Sequence, residues 1–137
     1  MVISAVVWIV FKKPVVGILL GYVFLIIAVT LLVRGPFDGE HLKLELFWSW
    51  KAWSVQHNQV VANIVMFIPV GLLAGWLWRW LGLVFVIGLS CGIEVVQLIT
   101  LRGLCEFDDV IHNMVGAAVG IGITMMVKMI TARRESQ

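Results

Sequence analysis

Arg102-Gly-Leu-Cys-Glu-Phe-Asp-Asp-Val-Ile-His-Asn113 carries a run of acids directly into an apolar, glycine-rich segment, residues 110–130. Asp108, Asp109, His112 and Asn113 therefore stand at the lip of a stretch that otherwise has the composition of a membrane-buried helix. A carboxylate deep in hydrocarbon costs about 2.5–3.5 kcal/mol on insertion scales, so such groups face a protein interior or a wet cavity. Polar residues able to meet them occur in two other apolar segments, Asn63 in one and Glu94 with Gln97 in the other. The pattern predicts helices assembled in a bilayer around a shared polar level.

The rest of the chain agrees with a membrane protein. Of its 137 residues 61% are hydrophobic and 13% charged, and a soluble domain carries about 25% charge. Mean hydropathy is +1.04. The seven tryptophans suit aromatic belts at two bilayer interfaces. No polar stretch is long enough for a second domain, so residues 1–137 read as a single membrane domain. A net charge of +2, with no basic patch interleaved with aromatics, speaks against nucleic acid as a partner. Cys91 falls in an apolar segment and Cys105 in a loop, at depths too different for a disulfide, so both are expected as free thiols. Residues 2–11 make a poor signal peptide, with no charge before them but the terminus and no small-residue cleavage site after.

A span needs about 20 apolar residues. Four segments qualify: 14–33, 60–78, 81–101 and 110–130. They predict an all-α membrane protein, a compact bundle of about four transmembrane helices. Residues 1–13 form a cytoplasmic or interfacial N-terminus, too short to span alone, and residues 131–137 a cytoplasmic tail. Lys12, Lys13, Arg79, Lys128, Arg133 and Arg134 fall on one side; Arg34, Lys43, Lys51 and Arg102 fall on the other. The positive-inside rule then places both termini in the cytoplasm. In the outer loop, residues 34–59, Leu42, Leu44, Leu46, Trp48 and Trp50 alternate with Lys43, Glu45, Phe47, Ser49 and Lys51. That period near two suits an interfacial strand, with a short amphipathic helix as the competitor; either would roof the outer end of the bundle. Small-xxx-small pairs at Gly17/Gly21, Gly71/Gly75, Gly88/Gly92 and Gly116/Gly120 predict close packing in every span. The segments from Asn63 and Asn113 resemble each other and run the same way, as in a parallel two-helix repeat.

By depth along a helix, Asn63 lies about 5 Å inside its span, Gln97 and Glu94 roughly 6 and 10 Å, and His112 and Asn113 about 3–5 Å. Glu94 and Gln97 share a face by their i, i+3 spacing; so do Asp109, His112 and Asn113. Asn63, Gln97 and Asn113 could serve simply as hydrogen-bonding glue between helices. A buried Glu94 is expensive glue and points to function. Asp108 suits a helix N-cap, and Asp109 one turn from His112 could hold that ring in one tautomer. No Ser-His-Asp arrangement, Cys/His cluster or phosphate loop is present. Asp108, Asp109, His112 and Glu94 would hold a metal only if two helices converged, and no metal or cofactor is expected.

Three motifs in order, Asn63-x-x-x-Phe67-x-Pro69-x-Gly71, Ser90-x-x-x-Glu94-x-x-Gln97, and Arg102 followed by Asp108-Asp109-x-x-x-Asn113-x-x-Gly116-x-x-x-Gly120, resemble the VanZ-like family of small bacterial membrane proteins. The similarity covers the chain from Asn63 onward. In that family the acidic run often has an additional Asp, and Glu106 stands in that region here. The resemblance implies a polytopic membrane protein, some members being linked to resistance to teicoplanin-type lipoglycopeptides. It brings no settled reaction.

Two functions follow as expectations. In the first, Asn63, Glu94, Gln97, Arg102, Asp108, Asp109 and Asn113 bind the head group of an envelope lipid, a lipid-linked cell-wall precursor or a lipoglycopeptide in the outer leaflet. In the alternative, a membrane-embedded enzyme acts on a lipid head group, with Glu94 or Asp109 as base, His112 as proton shuttle and Arg102 as anion anchor. A transporter is disfavoured, because the inner halves of the spans carry no ionisable residue except Lys128.

Overall fold

The computed structural model describes residues 13–33 and 42–136. All but Lys13 of the cytoplasmic or interfacial N-terminus expected at residues 1–13 lies outside them. Among the described residues three stretches are long and apolar enough to cross a membrane: Pro14–Leu32, Trp53–Thr100 and Phe107–Glu135. The middle one folds back on itself at a 3₁₀ turn, Arg79–Leu81. The result is a bundle of four long helices: α1 (Pro14–Val33), α3 (Trp53–Trp78), α4 (Gly82–Thr100) and α5 (Phe107–Glu135). A single helical turn, α2 (Trp48–Lys51), precedes α3. The chain is an all-α membrane protein.

Helix ends follow local chemistry. Pro14 opens α1, where its missing N–H leaves no bond unmade. Pro69 lies inside α3, and one turn before it the Met66 carbonyl accepts the Tyr22 hydroxyl at 3.2 Å. A neighbouring helix thus supplies a donor near a backbone that the proline perturbs. At the far end of α3, Lys128 Nζ donates to the Trp76 carbonyl at 2.7 Å and lies 4.9 Å from the Trp76 ring centroid. A cation at a helix C-terminus complements the orphan carbonyls and the dipole there. α4 ends with Leu101 in the left-handed region (φ 54°), the Arg102 N–H returning to the Gln97 carbonyl at 3.1 Å. That closure normally favours glycine.

α1 and α4 run one way, α3 and α5 the other. Leu19 and Ile26 of α1, Phe67 and Val70 of α3, Val86 and Ile93 of α4, and Ala117 of α5 form the apolar core. The closest contact is the parallel pair α3–α5. A β-carbon at Gly71 would overlap the Ala117 carbonyl, one at Gly116 the Ile64 carbonyl, and one at Gly120 the Ile68 carbonyl. In lipid no water is displaced when helices meet, so backbone contact and dispersion hold them together. Glycine there lets the two backbones touch.

The small-residue pattern is not used uniformly. At Gly21, Gly88 and Gly92 an added β-carbon would meet nothing within 4 Å. The expectation of a close-packing pair in every span is therefore corrected: α3 and α5 use theirs, and Gly88/Gly92 faces open space. The span boundaries also shift. α3 begins at Trp53 rather than residue 60, because span length counts only apolar residues while the helix continues into polar ones. Residues 53–59 are thus helix, and the strand expected across residues 42–51 shrinks to β1 (Leu42–Lys43), paired in parallel with β2 (Cys105–Glu106).

Gly116→Ala and Gly120→Ala should each destabilise the bundle by about 1–3 kcal/mol or more, through overpacking against backbone. Gly88→Ala should leave stability unchanged, since its added methyl meets nothing within 4 Å. Thermal unfolding of the purified variants in detergent measures the contrast.

Candidate functional site at the polar end of the bundle

The α3–α5 seam sets the level of the polar side chains. With Gly116 seated on the Ile64 carbonyl, Asn63 and Asn113 enter the bundle at one height. α4 returns antiparallel beside them, and the Asn113 amide donates to the Ser90 hydroxyl at 2.8 Å. One turn on, Glu94 accepts the backbone N–H of Glu106 at 2.9 Å, tying the end of α4 to the strand that leads into α5. Asp109 accepts the Gln59 amide at both oxygens, 3.1 and 3.3 Å away, which ties α5 to α3. Asn63, Ser90, Glu94, Gln97, Asp109, His112 and Asn113 are all buried.

The outer segment closes over this end. Asp108 accepts the backbone N–H of Phe47 at 2.7 Å and of Ser49 at 3.0 Å, together with the Ser49 hydroxyl. Phe47, at φ 60°, is held in the left-handed region between these anchors. The Trp48 indole donates to Glu106 at 3.2 Å, and β1 lies along β2. The segment therefore roofs the bundle as both strand and helix, each over a few residues.

The structure revises several of the partners expected from the sequence. Asp108 is not the N-cap of α5; Glu106 holds that position, without a side-chain capping bond. Asp108 instead clips residues 47–49. Glu106 is 3% exposed and carries the indole, so it is part of the same closure. His112 is buried, but its Nδ1 has no hydrogen-bond partner, so the clamp expected from Asp109 is not made at that nitrogen. Asn63 Nδ2 and Asn113 Oδ1 are likewise buried without partners. Arg102 does not turn into the carboxylates: its guanidinium donates to the Leu31 carbonyl at 2.9 Å, capping the last turn of α1. Among the described residues no group of three or more His, Cys, Asp or Glu side chains is arranged to hold a metal ion.

Both cysteines are free thiols. The Cys105 thiol is pushed above its ordinary pKa by partial burial first, and then by the neighbouring Glu94 and Asp109 carboxylates. It is a poor nucleophile at neutral pH, because the thiolate is the reactive form.

Below this end a groove of about 320 Å³ opens between α1 and α4, lined by Ile27, Leu31, Gly88, Gly92, Ile93 and Val96 among others. Thr30 also borders it, but its hydroxyl turns back to the Ile26 and Ile27 carbonyls at 2.9 and 3.1 Å. The groove is consequently apolar along its length. It reaches Leu31, the residue whose carbonyl Arg102 holds.

A family model described as VanZ/LLP1 matches residues 18–128, from the first turns of α1 to Lys128 of α5. The chain belongs to the VanZ/LLP1 family. Protein VanZ of Enterococcus faecium is 34% identical over 68 residues, which are 47% of this chain and 42% of that protein. The chain thus matches less than half the length of that relative. No solved structure matches. In this VanZ/LLP1 chain the match takes in most of α1 and the outer segment as well as the three motifs.

Gln59 and Ser90 are missing from the sequence-based site. Their signal was available: each lies four residues before a singled-out polar residue, Asn63 or Glu94, on the same helix face. Ser49 and Trp48 had no such signal, since their partners are 59 and 58 residues away in sequence.

Asp108→Asn should place an amide against donors that need an acceptor, costing about 1–3 kcal/mol. Limited proteolysis of the purified variant should show faster cleavage in residues 42–51 than wild type, with the transmembrane helices still protected.

Proposed function

We propose that this protein binds an envelope amphiphile, its hydrocarbon chain in the α1–α4 groove and its polar head at the buried amide–carboxylate end. The observation that carries this is the juxtaposition itself: an open apolar groove rising to Arg102, beside a polar level contributed by three helices. Ligand sites of this kind are mostly apolar with a few convergent polar groups. Three of those groups, on Asn63, His112 and Asn113, have buried atoms with no partner, and a buried unpaired polar atom costs about 1–3 kcal/mol. A ligand or ordered water supplying those bonds would recover it. The amphiphile class is an envelope lipid, a lipid-linked cell-wall precursor or a lipoglycopeptide, in keeping with the family's link to teicoplanin-type resistance. Lys13, Arg79, Lys128, Arg133 and Arg134 crowd the other end of the bundle, which supports placing that end in the cytoplasm of a bacterial inner membrane and the polar end in the outer leaflet.

Two experiments check this. In a susceptible host, Gly92→Leu should fill the groove without touching the core, and Glu94→Gln and Asp109→Asn should alter the head-group end. Each variant should accumulate in the membrane yet return teicoplanin-type susceptibility to the vector level. Full protection by Gly92→Leu contradicts the groove, and turnover of a radiolabelled envelope lipid by the purified protein would favour the alternative enzyme. For orientation, with Cys91 and Cys105 replaced by serine, a membrane-impermeant thiol reagent added outside cells should label a cysteine at Ser54 and miss one at Ser136. The reverse pattern would overturn the placement.

A further inference from the structure

At the opposite end of the bundle a second cleft, of about 490 Å³, opens between the 3₁₀ turn and the last turns of α5. It is lined by Arg79, Trp80, Met125, Lys128, Met129 and Ala132. Among the described residues no carboxylate lines it. The lining is a pair of cations, one tryptophan and an apolar floor.

Its depth is marked by aromatic rings. Trp76, Trp78 and Trp80 are exposed at the end of α3 and in the turn, and tryptophans in such positions lie at the head-group level of a bilayer. Lys128 is fixed at that level by its bonds to the Trp76 and Gly75 carbonyls at 2.7 and 3.4 Å. An ammonium has three donors, so one remains for the cleft. Arg79 sits across from it on the turn, exposed. Two cations sharing one cleft with two methionine side chains match an amphiphile with an anionic head. Basic pockets between helices on the cytoplasmic side of a membrane bind such lipids, and Arg133 and Arg134 on the next turn of α5 add to the local positive potential.

We infer that the cleft between Arg79 and Lys128 is a binding site for an anionic phospholipid, the phosphate held by the two cations and the acyl chains lying against Met125 and Met129. The site is independent of the amphiphile site at the polar end. It would anchor the hairpin of α3 and α4 to α5 at the level of the cytoplasmic head groups.

Thermal unfolding of the purified full chain in neutral detergent tests this. Added phosphatidylglycerol should raise the midpoint saturably, while phosphatidylcholine or inorganic phosphate at the same concentration should not. Arg79→Gln should weaken the half-saturating concentration about fivefold, from the loss of one cation near the lipid surface. Lys128→Gln also removes the cap on α3 and lowers the starting midpoint, so its phosphatidylglycerol-dependent increment is the quantity compared. Arg133→Gln with Arg134→Gln should shift the half-saturating concentration less than Arg79→Gln alone. Equal stabilisation by phosphatidylcholine, the same effect from inorganic phosphate, or an undiminished response in Arg79→Gln would each overturn the proposal.

Discussion

The close approach of α3 and α5 is the constraint on which the rest of the structure depends. Parallel helices need a long connection to bring the chain back; here α4 is that connection. Glycines at 71, 116 and 120 let the two backbones meet where any side chain would overlap a carbonyl. Once that register is fixed, Asn63 and Gln59 of α3 stand beside Asn113 and Asp109 of α5. A slip by one turn would separate them.

Closure of the polar end is built on that register. Glu94 and Asp109 each accept hydrogen bonds that join separate elements, Glu94 to the strand before α5 and Asp109 to Gln59 of α3. Asp108 and Glu106 hold the outer segment down. Buried carboxylates in a membrane are tolerable where donors converge on them, and these four sit at such junctions. α1 joins differently, through a few core side chains, the Tyr22–Met66 bond and the Arg102 cap, which leaves the groove on its α4 side. The space left between α1 and α4 is the proposed place for a lipid chain.

The helical class was legible because 20-residue apolar runs have few other solutions in a bilayer. The polar level was legible from depth, since 1.5 Å per residue is nearly invariant along a helix. Partner choice was not. Asp108 reads equally well as an N-cap, and only the return of residues 47–49 reveals it as a clip. Arg102 reads as a free anion anchor, and only the position of Leu31 reveals it as a cap for α1. Glycine pairs look alike in sequence at 71/75 and 88/92, yet one pair meets a helix and the other an open groove. Long-range pairings of this sort depend on how helices rotate about their axes, which spacing alone leaves undetermined. The left-handed Phe47 and Leu101 escape notice for a related reason: neither is glycine, and tertiary bonds impose their conformation.

The central claim is that the groove below the polar end selects an amphiphile, and photocrosslinking from its wall tests that most directly. A benzophenone amino acid placed at Val96 lines the groove, whereas one at Val84, 66% exposed on the same helix and outside the groove lining, faces the bilayer. Irradiation in living cells followed by mass analysis of the adducts should show one class of envelope amphiphile enriched at Val96 over Val84. Adducts of the same composition at both positions, matching bulk phospholipid, would contradict the account.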